Sequence, residues 1–338
     1  MSQVAVARSR STLRGRLGAE TPPAAAVVDW RRALQLVLAA IWLLDGVLQY
    51  QSFMYSSGFA PQMLAGVAPG NPRVIASPIT WDATLVGHHL VLINTLFATI
   101  QVLIGLGIAF RPTVRVALAA SIAWALGVWW FGEGLGMVLT SSASPVNGAP
   151  GAVIIYALLA VLLWPSDRHA AAARFVAGRA VGTQAARALW LVLWGSLAYF
   201  ALLPGNRTGQ GLSGMVGGMA DGEPGWLAGL DNHAAALLAH QGLAGSIVLA
   251  IALAVIAVGV YLPSPGLRTV LVLAIVVAAL VWVFGEAFGA IMAGGATDVN
   301  SGPLLILLAL SYWPLTRLAP GPVTRTAPAD PGQEEVNA

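Results

Sequence analysis

The sequence predicts an all-α polytopic membrane protein: eight transmembrane helices in two parallel four-helix repeats, with both termini cytoplasmic. Three observations predict it. First, the 338 residues are 57% hydrophobic and only 9% charged, with a mean hydropathy of +0.77, whereas a soluble domain carries about 25% charged residues. Second, apolar runs near the ~20 residues needed to cross a bilayer recur along the chain. Third, the two halves echo one another. "VWWFGEGLGM" at 128–137 and "VWVFGEAFGA" at 281–290 each embed one glutamate, Glu133 and Glu286.

Taken in order, residues 1–30 are rich in Arg, Ala and Pro and read as a disordered cytoplasmic tail. The first apolar run is too long for a signal-peptide core and no small-residue cleavage site follows it, so it reads as a retained helix. Spans are expected at 33–55, 83–110, 113–138, 149–165, 185–204, 233–262, 266–292 and 302–318. The division that follows is a first membrane repeat over 31–166, a cytoplasmic linker over 167–184, a second membrane repeat over 185–318 and a disordered cytoplasmic tail over 319–338. The linker's Arg/Ala pattern suits either a short helix lying on anionic lipid headgroups or a solvated connection.

Orientation follows from the arginines, which make up all 17 basic residues. Arg31 and Arg32, Arg111 and Arg115, the group Arg168, Arg174, Arg179 and Arg187, and Arg268 all fall on one side of the predicted spans. Arg8, Arg10, Arg14, Arg16, Arg317 and Arg325 join them, and only Arg73 and Arg207 fall on the other. Positive residues mark the cytoplasmic side. They are dispersed over loops and tails rather than gathered on one folded face, so the net charge of +3 does not point to nucleic acid. Cysteine is absent, which excludes disulfide chemistry, thiolate metal sites and c-type haem attachment.

At an offset of 153, Trp129, Gly132, Glu133, Gly136 and Asn147 fall on Trp282, Gly285, Glu286, Gly289 and Asn300; at 152, Met63 falls on Met215; at 151 or 152, His89 or His88 falls on His240. Such matches indicate a duplicated four-helix unit. A unit with an even number of spans inserts the same way up both times, which makes the repeats parallel.

Helical rise then sets depths. Glu133 lies about 30 Å along its span, near the outer boundary, and His88 and His89 lie about 8–9 Å below that boundary. Asp45, Gln49 and Gln51 occupy the middle and outer parts of the first span, and the second copy brings His233, His240 and Glu286 to the same level. Acid and imidazole groups are thus expected to converge in an outer pocket in each repeat, with Asp45, Gln49, His88, His89, Glu133, His240 and Glu286 as ligand-binding candidates. A charge at membrane depth costs roughly 2.5–3.5 kcal/mol and is by default a functional candidate. A structural reading stands beside it, because the flanking glycines let helices approach closely.

Six of the seven methionines, Met54, Met63, Met137, Met215, Met219 and Met292, also fall on the outer side. Thioethers favour Cu(I), so an alternative metal set is His89, Glu133, His240, Glu286, Met63 and Met215, although methionine is equally a filler of apolar gaps. The long outer loops after the first and fifth spans read as ordered lids. Trp30, Trp164, Trp190 and Trp313 are expected at the inner interface and Trp81, Trp129, Trp226 and Trp282 at the outer one. The sequence contains no nucleophile–base signature, no nucleotide fingerprint and no HExxH, and so leaves catalysis open.

A polar first span, a long outer loop, a histidine early in the second span and a "GE" near the end of the third resemble the DoxX/DoxD-like clan of four-helix membrane proteins, here duplicated. "WLLDGVLQYQSFMY", "GNP" and "WWFGEGLG" also resemble a group of actinobacterial membrane proteins of unassigned function. The clan resemblance implies quinone-linked redox chemistry and membrane or extracytoplasmic redox partners. Three readings follow: a redox-associated plasma-membrane subunit binding a quinone, with b-type haem between His88 or His89 and His240 as a variant; an outer-face copper-handling protein; and a proton- or ion-coupled transporter using Asp45, Glu133 and Glu286.

Overall fold

The computed structural model describes residues 29–315. The expected terminal tails, with the arginines they carry, lie outside the described residues. Twelve helices follow in chain order: α1 Trp30–Leu48, α2 Arg73–His88, α3 Leu90–Ala109, α4 Val114–Phe131, α5 Ala152–Leu162, α6 Gly178–Val181, α7 Thr183–Ala201, α8 Gly211–Gly218, α9 Gly225–Leu238, α10 Gly242–Gly259, α11 Ser264–Leu280 and α12 Ser301–Ser311. No strand occurs among the described residues.

Four segments are long and apolar enough to cross a membrane: Leu90–Ala109, Arg111–Phe131, Gly242–Gly259 and Ser264–Gly285. Large apolar side chains stand exposed along them, among them Leu92, Val116, Val248 and Val272. Water penalises such a surface and lipid does not, and these helices mark a membrane protein. The other candidate spans are shorter or more polar. α1 and α7 have 19 residues each but carry more polar side chains, and α5 and α12 have 11 each.

The expected spans at 83–110 and 233–262 are each broken. The first divides at His89 into α2 and α3, and the second divides at 239–241 into α9 and α10, with His240 at a φ of +67°. The span expected over 113–138 ends as α4 at Phe131, and that over 266–292 ends as α11 at Leu280, followed by a wider helical turn over Val281–Gly285. Both then enter the same unusual backbone. Gly134, Leu135, Gly136 and Met137 all have positive φ, between +55° and +63°; so do Ala287, Phe288, Gly289 and Ala290, between +43° and +76°. Four successive left-handed residues make one left-handed turn, at a cost of about 1–2 kcal/mol for each residue bearing a Cβ. That turn sends the chain back toward the start of α5 in one case and α12 in the other. Gly136 is indispensable to it, because a Cβ there would sit 1.9 Å from the Pro150 carbonyl oxygen.

α5 and α12 pack against each other, with α4 beside the first and α11 and α1 beside the second; α1 reaches α5 through Trp42, which lies against Tyr156. One apolar cluster runs through both halves and includes Trp42, Tyr156, Trp190, Trp194 and Tyr312. The linker expected over 167–184 is neither a surface helix nor a solvated chain. Phe175, Val176 and Ala177 are buried, Phe175 lies against Tyr312 with ring centroids 4.8 Å apart, and the Ala177 N–H donates to the Ser311 carbonyl at 2.9 Å. Its polar edge is held by Asp167, which accepts a two-pronged contact from Arg31 (3.0 and 3.1 Å) and another from Arg179 at 2.9 Å. Of the tryptophans expected at the interfaces, Trp30, Trp81, Trp226 and Trp313 are exposed, whereas Trp190 is fully buried in the shared core.

Candidate functional site

The repeated glutamates do one structural job. The left-handed turn after α4 carries Glu133 to the first turn of α5, where the Val153 N–H donates to its Oε1 at 3.2 Å. The turn after α11 carries Glu286 to the first turn of α12. There the Gly302 N–H donates to Oε2 at 3.0 Å, the Ser301 N–H to Oε1 at 3.2 Å, and the Ser301 hydroxyl to the same oxygen. The first N–H groups of a helix have no partner within it, and an anion there is favoured by both hydrogen bonding and the helix dipole. Each glutamate is therefore an N-terminal cap supplied from a distant part of the chain. The tryptophans four residues before them brace the same junctions: Trp129 donates to the Pro150 carbonyl at 2.6 Å, and Trp282 to the Val299 carbonyl at 3.0 Å. These two are thus tied into the loops ahead of α5 and α12. The junctions correspond at an offset of 149, so Asn147 and Asn300, which match in sequence at 153, are not structural equivalents.

The first half combines its cap with a cavity. The space is about 850 Å³ and is bounded by α1, α3, α4, the start of α5 and the loop over residues 59–67. Residues from the second half complete it: Met215 and Met219 on and just after α8, and Thr297, Asp298 and Asn300 ahead of α12. Its walls are aromatic and apolar, with Trp42, Phe59, Phe97, Trp124 and Phe131. Its charged groups are all acidic, and several of its buried oxygens lack a donor. Asp45 is 1% exposed and takes a hydrogen bond from the Tyr156 hydroxyl on Oδ2, while its Oδ1 has no partner. Gln101 and Gln49 each keep an unpartnered side-chain oxygen. Gln49 donates to the Thr297 carbonyl at 3.4 Å, which ties the end of α1 to the loop that carries Asp298. Asp298 accepts from the Asn300 N–H at 2.6 Å and from the Thr297 hydroxyl at 2.9 Å. Burial pushes the Asp298 carboxyl up from its ordinary value, against the pull of those two hydrogen bonds. Burial likewise raises Asp82, which also lines the cavity.

Asp45, Asp82, Glu133 and Asp298 line this space, and no arginine or histidine does. Among the described residues the ion pairs both belong to Asp167, at the opposite end of α1. A cavity built this way accepts hydrogen bonds, or positive charge, from whatever enters it.

Of the candidates expected from sequence, Asp45, Gln49, Glu133 and Met63 meet in this cavity, and Met215 joins them from the other half. Glu286 does not line it but lies within electrostatic reach of Glu133. The histidines do not arrive: His88, His89, His233 and His240 are all exposed, and none lines the cavity. The physical reason for three of them is the break in each second span, which ends α2 and α9 and leaves His88, His89 and His240 at the corners, while His233 lies on an exposed side of α9. The expected His/Glu pockets are therefore not formed, and neither is a haem site between His88 or His89 and His240. No group of three or more His, Asp or Glu residues able to hold a metal ion occurs among the described residues, so the mixed His/Glu/Met set does not assemble either. Asp298, Tyr156 and Gln101 were missed, although Tyr156 and Gln101 are conspicuous as the lone polar side chains in "AVIIYALLAVL" and in the middle of α3.

Compared with known proteins, the chain has no matching family model, no matching curated protein and no matching solved structure.

Proposed function

We propose that this chain is an eight-span plasma-membrane protein of two parallel, DoxX-like repeats with cytoplasmic termini. On this reading its first repeat binds the reduced, hydroxyl-bearing form of a quinone as part of membrane redox chemistry. The observation that carries the reading is an aromatic-walled cavity whose unpartnered polar atoms are acceptors: Asp45 Oδ1, Gln49 Oε1 and Gln101 Oε1. A hydroquinone is a flat ring with two O–H donors, so it supplies stacking surface to Trp42 and Trp124 and protons to carboxylate and amide oxygens. An oxidised quinone offers acceptors only and so supplies no proton to these three oxygens. The carboxylates take the place that the sequence reserved for histidine, with Asp45 as the group that takes the proton.

A second reading, proton or cation transport, is favoured by one observation. Asp298 from the second half interacts electrostatically with Asp45, Glu133 and Glu286, so carboxyl groups of both halves share one region without a basic residue.

The two separate in one experiment. Purified protein is titrated with a short-chain ubiquinol, with the matching quinone and with tetramethylammonium, following tryptophan fluorescence. Binding of the quinol, weaker binding of the quinone and a loss of about tenfold or more in Asp45→Asn support the first reading, the size being that of one hydrogen bond to a charged group. Tetramethylammonium binding with none of quinol supports the second. Equal quinol affinity in wild type and Asp45→Asn refutes the first.

A further inference from the structure

The cavity is not sealed along α4. Ser121 and Ala125 on that helix are fully buried, and Ser121 accepts a hydrogen bond from the Trp42 indole of α1 at 3.1 Å. The residues of α4 that line the cavity begin beside this buried face at Val128. They continue round one flank through Trp124, Phe131 and Gly127 to Ala123. At 3.6 residues per turn, Ala123 stands about 160° round the helix from Ser121. It is exposed there, and it shares that outer face with Leu126 and Trp130, which are exposed and do not line the cavity. The space thus extends from the buried face of α4 to its lipid-facing one. Gly127 keeps the passage wide, since a Cβ there would meet nothing within 4 Å. Phe97 of α3 stands across from it, edge-on to Trp124 with ring centroids 5.3 Å apart.

The opening is level with Asp45. The Trp42–Ser121 hydrogen bond sets the register of α1 against α4, and Asp45 follows Trp42 by the same three residues by which Trp124 follows Ser121. On the other side, Gly46 is pressed against α3, where a Cβ would lie 3.1 Å from the Ala98 carbonyl oxygen, between Phe97 and Gln101. Both α3 and α4 are long and apolar enough to cross a membrane, and Phe97, Gln101 and Ala123 lie well inside them. The passage therefore meets the hydrocarbon and not the headgroups. Resting on the hydroquinone reading, we infer that the ligand is a prenylated, membrane-borne hydroquinone that enters between α3 and α4. Its ring reaches Asp45, and its tail passes over Gly127 and Ala123 into the lipid. A tail left in hydrocarbon keeps its favourable transfer energy, about 0.8 kcal/mol per CH₂, while the ring alone moves into the cavity.

The test uses the full chain in one detergent and isothermal titration calorimetry. The probes are the tail-less ubiquinol ring and ubiquinol carrying a two-isoprene tail. Partition into micelles affects every variant alike, so the readout is the ratio of the two affinities. Wild type should prefer the tailed quinol. Ala123→Trp, on the lipid-facing surface where a larger side chain displaces lipid, should lower that preference about tenfold, equivalent to losing contact with about two methylenes. Leu126→Trp, exposed on the same face but outside the cavity, should leave the ratio unchanged. Asp45→Asn should weaken both quinols alike. If Ala123→Trp keeps the wild-type ratio, the passage is wrong, even where Asp45→Asn weakens both quinols and the ring site stands. Ala123→Leu decides the point in the same way if the tryptophan variant fails to fold. If wild type binds the tailed quinol no better than the bare ring, the tail site is wrong; if it binds neither, the ring site falls with it.

Discussion

Removing the Glu286 carboxylate should destabilise the protein more than removing Glu133, because the two caps carry unequal loads. In Glu286→Ala the Ser301 N–H keeps an acceptor, the Asn300 side-chain oxygen at 2.8 Å. The Gly302 N–H and the Ser301 hydroxyl keep none, and Glu286 is 2% exposed, so water does not replace it readily. At about 1–3 kcal/mol for each stranded buried group, the loss is about 2–6 kcal/mol. Rotation of the Ser301 hydroxyl toward another carbonyl places it in the lower part of that range, about 2–4 kcal/mol. Glu133→Ala strands one donor, the Val153 N–H, for about 1–3 kcal/mol. Glu286→Gln keeps an acceptor oxygen and loses mainly the charge–dipole attraction, about 1 kcal/mol. The assay is reversible unfolding in mixed micelles of dodecylmaltoside and dodecylsulfate, followed by circular dichroism. If Glu286→Ala falls within about 0.5 kcal/mol of wild type, the size of an inconsequential surface change, the capping account fails. A Glu286→Gln variant as damaged as Glu286→Ala would also refute it, since the load would then rest on charge and not on the acceptor.

Three further outcomes follow from the same structure. Gly127 lines the cavity from α4, and a Cβ there meets nothing within 4 Å; Gly127→Ala should therefore raise stability by up to about 1 kcal/mol through helix propensity, while Gly127→Trp should keep the fold and abolish quinol binding in the fluorescence titration. Gly136→Ala drives a Cβ into the Pro150 carbonyl and should prevent accumulation of folded protein, whereas Gly195→Ala, where a Cβ meets open space, should be neutral or better in the same expression test. Hydrogen bonding from Arg31, with Arg179 beside it, holds the Asp167 carboxyl below its ordinary value of 3.8, so its contribution is complete above that value and lost as pH falls through the lower folded-state value; the stability gap between wild type and Asp167→Asn, small because Asp167 is half-exposed, should therefore shrink between pH 7 and pH 3, and a gap that widened on acidification would contradict the ion pair.

Much of the architecture was legible because helices in lipid must be apolar and of a given length. The runs around α3, α4, α10 and α11 announce themselves by that rule. What periodicity does not encode is where a helix stops for reasons of geometry. The apolar run 83–110 continues across His89 with no proline and only Gly87 as a breaker, yet the chain turns there, and this one corner removes His88 and His89 from the site. The same holds for the left-handed turns. "GLGM" advertises two glycines, but Ala287, Phe288 and Ala290 adopt the same conformation with a Cβ, and only the requirement to deliver Glu286 to α12 accounts for it. The linker was misread because its burial depends on a partner remote in sequence: Phe175 needs Tyr312, and nothing local in an Arg/Ala stretch predicts that. Asp45 and Gln49 were found because polar residues stand out in an apolar span, whereas Asp298, in a polar loop, had no such contrast.

The residues that do not recur say more about ligand chemistry than those that do. Glu133 and Glu286 recur, and both cap helices. Asp45, Gln49, Gln101 and Tyr156 face Ala198, Leu202, Leu253 and Leu305 at the corresponding positions of the second half, taking offsets of 153, 153, 152 and 149 from the helices that carry them. These four polar side chains of the cavity are thus replaced by apolar ones that need no partner. An unpaired buried acceptor costs about 1–3 kcal/mol, and the second half keeps its own elsewhere, at Asn206, Glu223 and Asp231, so it is the gathering of Asp45, Gln49 and Gln101 around one cavity that sets the first half apart. The second half instead lends the first its Asp298 loop and the Met215 and Met219 side chains. Transplanting one floor residue by Ala198→Asp should therefore create no second binding site, because the Asp298 loop and the Met215 and Met219 side chains already serve the first cavity; quinol stoichiometry should stay at one per chain, and a rise to two would show that the transplanted carboxylate alone suffices.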